Sequence, residues 1–243
     1  MSAVAADLSH FSPVQRARLA YNVPLPAALS APPASQRLVA GAVLSPPHWA
    51  AAVPGGGGAT HGASIAALFP ATVNRPPVTL EVGAGTGGVA APSAPLKVGV
   101  VLSGGQAAGG HSVISGLFDG VAARGGGVLY GFLNGPRGLF TGQYIVIDAA
   151  LMAQYRNMGG FDIIGSGRDK IETPEQFAAS RAHAEALGLD GVVVIGGDDS
   201  NTNAALLAEY FAANGCKTKV VGCPKTIDGD LKVPEAGLDI SFG

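Results

Sequence analysis

Charge is scarce in this sequence: only 13% of its 243 residues are Asp, Glu, Lys or Arg, and the formal net charge is −2. No Lys/Arg cluster suggests a stripe that tracks a phosphodiester backbone, so nucleic acid is not an expected partner. Cysteine is scarcer still. Cys216 and Cys223 stand outside any Cys-x-x-Cys or Cys/His array with zinc spacing and cannot form a disulfide framework, which points to a reducing cytosol. No stretch offers eighteen uninterrupted apolar residues, so membrane spanning is not expected. Asp7 stands where a secretory signal would need a basic region before an apolar run. The Ala- and Ser-rich leader, with Arg16 and Arg18 as its early basic residues, leaves a transit peptide open. Cytoplasmic residence is the expectation.

What is abundant is unevenly spread. Most of the 17 prolines precede Lys97, and Gly55 to Gly58 make a glycine run. Residues 1–95 therefore read as a Pro/Gly-rich, largely loop-like extension. One helix is expected inside it, opening at Ser12-Pro13 with Ser12 as N-cap and Pro13 at the first helical position. Gly83-Ala84-Gly85-Thr86-Gly87-Gly88 matches a dinucleotide-binding fingerprint after a possible strand, Val78–Val82. Pro92 and Pro95 break the helix that the fingerprint needs, so the segment reads as linker.

From Lys97 onward, short β-branched runs alternate with Ala-rich stretches, the pattern of a parallel sheet covered on both faces. Strands are expected at Val98–Leu102, Gly127–Leu133, Asp162–Ile164, Val192–Ile195 and Lys219–Cys223. Helices are expected at Ser112–Arg124, Pro174–Leu187 and Asn203–Asn214. The fold class is α/β, and ligands of such sheets bind beyond the carboxyl ends of the strands.

Three polar loops fall at those ends. Ser103-Gly104-Gly105-Gln106-Ala107-Ala108-Gly109-Gly110-His111-Ser112 has the glycines that let backbone N–H groups approach an anion, with a following helix to add partial positive charge. His111 occupies the lysine position of a P-loop, so a standard P-loop is rejected. A ligand-free turn remains the alternative. Gly196-Gly197-Asp198-Asp199-Ser200-Asn201-Thr202-Asn203 places two adjacent carboxylates after a Gly-Gly turn. Such a pair suits a hard cation with phosphate oxygens, although an Asp N-cap with a solvated neighbour is the bland reading. Pro224-Lys225-Thr226-Ile227-Asp228-Gly229-Asp230 crowds an ammonium, a hydroxyl and two carboxylates into one loop, a set suited to charge neutralisation and proton removal from an alcohol.

A Ser-Gly-Gly loop, a Gly-Gly-Asp-x-Ser loop and Thr-Ile-Asp-x-Asp, in this order, resemble the phosphofructokinases from about Lys97 to Gly243. Asp199 and Lys225 stand where ATP-using bacterial members carry Gly, so the likeness is to the pyrophosphate-dependent kind and to its catalytic, beta-type subunit. Ala108 and Ser112 depart slightly from the family pattern, which usually has Pro and often Asn there.

The resemblance implies a phosphofructokinase-like three-layer α/β sandwich with a mostly parallel sheet. Residues 96–243 would be its donor-binding domain, incomplete at the C-terminus because the family continues past Gly243. It implies phosphoryl transfer from pyrophosphate to fructose 6-phosphate, a glycolytic step, with Mg²⁺ as cofactor. Asp198 would hold the metal, while Gly105, Lys225 and Arg168 would bind pyrophosphate. Thr226, Ile227 and Asp228 would line the sugar-phosphate side, with Asp228 as base. Asp199 and Lys225 would complete the catalytic set by selecting and stabilising the donor. Homo- or hetero-oligomers with other phosphofructokinase subunits are the implied assembly. The alternatives are an inactive fragment or regulatory subunit of the same family, and an NAD or lipid kinase sharing the Gly-Gly-Asp element.

Overall fold

The computed structural model describes residues 9, 11–21, 23–31, 35–40, 64–73, 75, 78–83, 89–90, 94–227, 231–233 and 238–240. The N-terminal part holds α1 (Pro13–Ala20), α2 (Ala27–Ser30), β1 (Gln36–Ala40), β2 (Val78–Val82) and β3 (Val89–Ala90). The α/β part runs β4 (Lys97–Leu102), α3 (Gly110–Ala122), β5 (Val128–Phe132), α4 (Pro136–Thr141), β6 (Tyr144–Ile147) and α5 (Ala149–Tyr155). It continues with α6 (Pro174–Leu187), β7 (Gly191–Gly196), α7 (Asp198–Ala213) and β8 (Lys219–Pro224), before a hairpin of β9 (Leu231–Val233) and β10 (Leu238–Ile240).

The central sheet has the order β6-β5-β4-β7-β8. β4 pairs in parallel with β5 and β7, β7 pairs in parallel with β8, and only β6 is antiparallel. Alternation along β4 and β7 sends their β-branched side chains to both faces. One face packs Val101, Val192 and Val194 against Leu139 of α4, Ala184 of α6 and Leu207 and Phe211 of α7. The other packs Val100, Leu102 and Ile195 against Ile114 of α3 and Met152 of α5. A fork of Arg156 to Asp119, at 2.7 and 2.8 Å, fastens the end of α5 to α3. The fold is therefore the expected three-layer α/β sandwich.

Local signals explain the helix starts. Ser12 and Thr173 each close a capping box, with Gln15 and Gln176 three residues on and Pro at the first helical position. Gly188, at φ 66°, ends α6.

Two expectations need correction. Asp162–Ile164 is not a strand. The Gly165 N–H donates to the Phe161 carbonyl at 2.8 Å, closing a turn. β5 already has β4 and β6 as neighbours, so no ladder is open there; Ile163 and Ile164 are buried because they fill the core beneath the sheet. Helix α7 starts five residues earlier than expected, at Asp198, because the Gly197 cap is backbone-driven and leaves no side-chain signature. In the N-terminal extension the possible strand Val78–Val82 is present as β2. β1 pairs antiparallel with β2 and β3, joining residues as distant as Arg37 and Ala90. The Gly83–Gly88 linker lies outside the described residues except for Gly83, where β2 ends.

Among the described residues no helix is long and apolar enough to cross a membrane. Cys216 and Cys223 are free thiols, and burial pushes the Cys223 thiol up, so it stays protonated.

Candidate functional site: a cleft at the carboxyl ends of three strands

After β4 the chain turns through Gly104, whose φ of 88° is one that side-chain-bearing residues rarely adopt. Its N–H donates to the Gly167 carbonyl at 2.8 Å, and the Ser166 hydroxyl donates to the Gly104 carbonyl at 2.7 Å. The first loop is thus zipped to the loop that carries Arg168. A Cβ at Gly105 would sit 3.2 Å from Arg168 Nη2, so a residue without a side chain lets the guanidinium lie against the backbone.

After β7, the α7 N-terminus forms the second wall. Asn201 Nδ2 donates to the Gly196 and Gly197 carbonyls, both at 2.7 Å, and fixes the turn. The Ser200 hydroxyl donates to Ser103 Oγ at 2.9 Å, joining this wall to the first loop. Asp198 and Asp199 occupy the first turn, where the helix dipole favours negative charge, and both are exposed. Lys170 Nζ lies 3.3 Å from Asp199 Oδ2.

After β8, the Lys225 N–H donates to the Gly196 carbonyl at 2.8 Å, and its side chain returns to the first loop to donate to the Gly105 carbonyl. Lys225 and Thr226 are buried, each 5% exposed. A buried ammonium needs acceptors; the Gly105 carbonyl supplies one, and the Phe161 ring supplies its face at 5.2 Å from Nζ. Ile227 is exposed. Asp228, the expected base, lies outside the described residues, as do Gly229 and Asp230.

The three loops enclose a cleft of about 250 Å³ lined by Gly104, Gly105, Gln106, Ala107, Arg168, Gly197, Asp198, Asp199, Ser200, Lys225, Thr226 and Ile227. Gly105, Arg168, Asp198, Asp199, Lys225, Thr226 and Ile227, named from the sequence in three separate loops and one intervening segment, all line it. Gln106, Ala107 and Ser200, which belong to the same motifs, line it as well. The helix terminus that lines the cleft is that of α7. The first turn of α3 instead packs on Gly160 and Phe161, where a Cβ at Gly110 would sit 2.9 Å from the Gly160 carbonyl.

His111 is not part of the cleft lining. It is 1% exposed, and its Nε2 accepts from the Ile163 N–H at 3.2 Å, which puts the proton of the neutral ring on Nδ1. Burial pulls its pKa below the ordinary histidine value, against the opposing pull of the Asp162 carboxylate and the Gly159 carbonyl.

Two cations, Arg168 and Lys225, thus face two carboxylates across a space of small-polyanion size. A phosphate group entering beside Asp198 and Asp199 requires a cation between them. Among the described residues no three His, Cys, Asp or Glu side chains converge, and Asp198 makes no ion pair. That donor set fits a hard, oxygen-seeking ion such as Mg²⁺, which keeps waters and takes one carboxylate plus phosphate oxygens.

The sequence pattern of the phosphofructokinases matches residues 97–243. The chain belongs to the phosphofructokinase family. It is similar to the beta subunit of pyrophosphate–fructose 6-phosphate 1-phosphotransferase of Solanum tuberosum, 50% identical over 96% of this chain and 38% of that protein. It is also similar to pyrophosphate–fructose 6-phosphate 1-phosphotransferase of Treponema pallidum, 58% identical over 61% of this chain and 26% of that protein. This phosphofructokinase chain therefore spans about 38% of the length of the potato relative. The crystal structure of a pyrophosphate-dependent phosphofructokinase from Nitrosospira multiformis matches 58% of this chain and 36% of its own, with a TM-score of 0.51 and 23% identity, and so shares the fold.

Proposed function

We propose that this cleft is a Mg²⁺–pyrophosphate site and that the whole protein transfers a phosphoryl group from pyrophosphate to the 1-hydroxyl of fructose 6-phosphate. The observation that carries the reading is the convergence of Gly105, Arg168, Asp198, Asp199 and Lys225 on one space of about 250 Å³. The names of the potato and Treponema relatives supply the reaction.

In this reading the Gly105 backbone, Arg168 and Lys225 hold the donor phosphates, and Lys225 offsets charge that grows on the departing phosphate. Asp198 holds Mg²⁺, which when bound neutralises charge on the donor. Asp199 narrows the space next to the donor, and Thr226 and Ile227 lead toward the sugar side. Asp228 takes the proton of the attacking hydroxyl as its oxygen bonds to phosphorus and inorganic phosphate leaves. Residues 96–243 would be the donor-binding domain, residues 1–95 an N-terminal extension, and the setting cytoplasmic. The word subunit in the potato relative's name supports an oligomer of phosphofructokinase chains.

Calorimetric titration of the chain with Mg²⁺–pyrophosphate tests the donor site. Asp198→Ala and Lys225→Met should each weaken binding by about tenfold or more. Unchanged affinity in both variants would overturn the assignment. In a chimera that joins residues 97–243 to the remaining length of a relative, Asp228→Ala should lower kcat by about 10²–10⁴-fold with KM little changed.

A further inference from the structure

The loop that carries Arg168 is held against one face of α7 at two points. Asn203 clamps the backbone of Ile171, accepting its N–H at 3.0 Å and donating to its carbonyl at 2.7 Å. One helical turn earlier on the same face, Asp199 meets Lys170 at 3.3 Å. Next in the loop, Asp169 is gripped by the Arg137 guanidinium at 2.8 and 3.3 Å, which holds the carboxyl below its ordinary range. Lys170 is therefore presented from a backbone fixed on both sides.

Its partner stands on a boundary. Asp199 lines the donor cleft and also a second cavity of about 440 Å³, whose wall includes Lys170, Phe177 and Leu206. An uncompensated carboxylate at that place would repel a polyanionic donor and would be free to turn into either space. The ammonium of Lys170 approaches from the far cavity, and Lys170 is absent from the cleft lining.

We infer that Lys170 is a positioning residue for the donor site: it neutralises Asp199 and holds it at the partition between the two cavities, without touching the donor. The inference rests on the pyrophosphate reading of the cleft. Both side chains are substantially exposed, 45% for Lys170 and 74% for Asp199, so the ion pair contributes little to folding.

The test is a double-mutant cycle read by titration of the folded chain with Mg²⁺–pyrophosphate. Lys170→Met should weaken binding about three- to tenfold, and Lys170→Arg should restore most of it. In an Asp199→Ala background, Lys170→Met should change affinity by less than about twofold, because the charge it compensates is gone. Amide exchange at Ile171 should be the same in wild type and Lys170→Met. An equal loss in both backgrounds would mean that Lys170 contacts the donor itself, and would overturn the inference. So would unchanged binding in the single variant, or lost protection at Ile171, which would mark a structural role. If the wild-type chain binds no Mg²⁺–pyrophosphate, the reading of the cleft fails and this inference falls with it.

Discussion

In the central sheet Val100, Val101, Leu102 and Ile195 are each 1% exposed or less, whereas in the N-terminal sheet Val78 and Val82 of β2 are 58% and 52% exposed. Both regions are made of strands rich in β-branched residues, yet only one buries them. The N-terminal region is attached instead by polar hooks. Arg124 donates to Gln36 of β1 at 2.8 Å. Glu209 of α7 accepts from the Ala71 N–H at 2.9 Å and from the Thr72 hydroxyl at 2.6 Å. Asn157 donates to the carbonyls of Arg18 and Tyr21 at the end of α1. The neutral hook at Asn157 contributes about 1 kcal/mol per hydrogen bond and the charge-assisted hooks at Arg124 and Glu209 about 1.5–3 kcal/mol, each no more than one fully buried large aliphatic side chain, and the sandwich buries many of those. The cooperative unit that supports the cleft is therefore the α/β sandwich, and the N-terminal region should open before it does.

The largest contrast should come from two truncations. Phe211→Ala removes a ring that is 1% exposed between α7 and the sheet, and should lower unfolding free energy by about 3–5 kcal/mol in urea titrations. Val78→Ala should stay within about 0.5 kcal/mol of wild type. Comparable losses would mean that the N-terminal sheet shares the core, and the comparison would fail.

The same contrast explains what could be read in advance. The runs Val98–Leu102 and Val192–Ile195 announce buried parallel strands because burial on both faces demands unbroken apolar sequence. Thr173-Pro174 gives the start of α6 because a cap is local chemistry. β6 gives no such signal. Its four residues alternate between exposed and more buried positions on an antiparallel edge, too short a run to stand out. β2 stands where the sequence offered a possible strand, but β1 and its pairing with β2 lie about forty residues of chain away, and no window of sequence contains both. In the cleft, Gly105, Asp198 and Lys225 were legible because motif chemistry is contiguous. Lys170 was not, because its meaning comes from a partner on another element.

Acid should weaken the α/β unit through His111. Its folded pKa lies below the ordinary value of 6.5, so below pH 6.5 the unfolded chain binds more protons than the folded one. The stabilisation is complete above about pH 6.5 and is lost as pH falls from there toward the folded pKa. Thermal midpoints measured from pH 7.5 to 5 should decline over that window. In His111→Gln the decline should be shallower, even though the variant starts from lower stability because a packed ring beside Tyr155 is lost. An equally steep decline in the variant would assign the acid sensitivity to other groups.

The smallest effect sharpens the comparison most, because it places one piece of chemistry in both regions. Ser12 and Gln15 close a capping box on α1 at 3.2 and 2.9 Å, and Thr173 and Gln176 close one on α6 at 3.3 and 3.1 Å. Intrinsically each cap stabilises its helix by about 0.5–2 kcal/mol. That energy enters the global unfolding transition only if the helix melts together with the core. α6 buries Ala184 in the core cluster, while α1 leaves Val14 61% exposed. Thr173→Ala should therefore lower global stability by about 1 kcal/mol, seen as a shifted urea midpoint with unchanged slope. Ser12→Ala should leave that midpoint within about 0.3 kcal/mol and instead speed amide exchange within α1, since a helix already open before global unfolding cannot pass its cap energy to the core. Equal midpoint shifts in the two variants would show that α1 melts with the sandwich, and the hook at Asn157 would then have to be counted as part of the cooperative core.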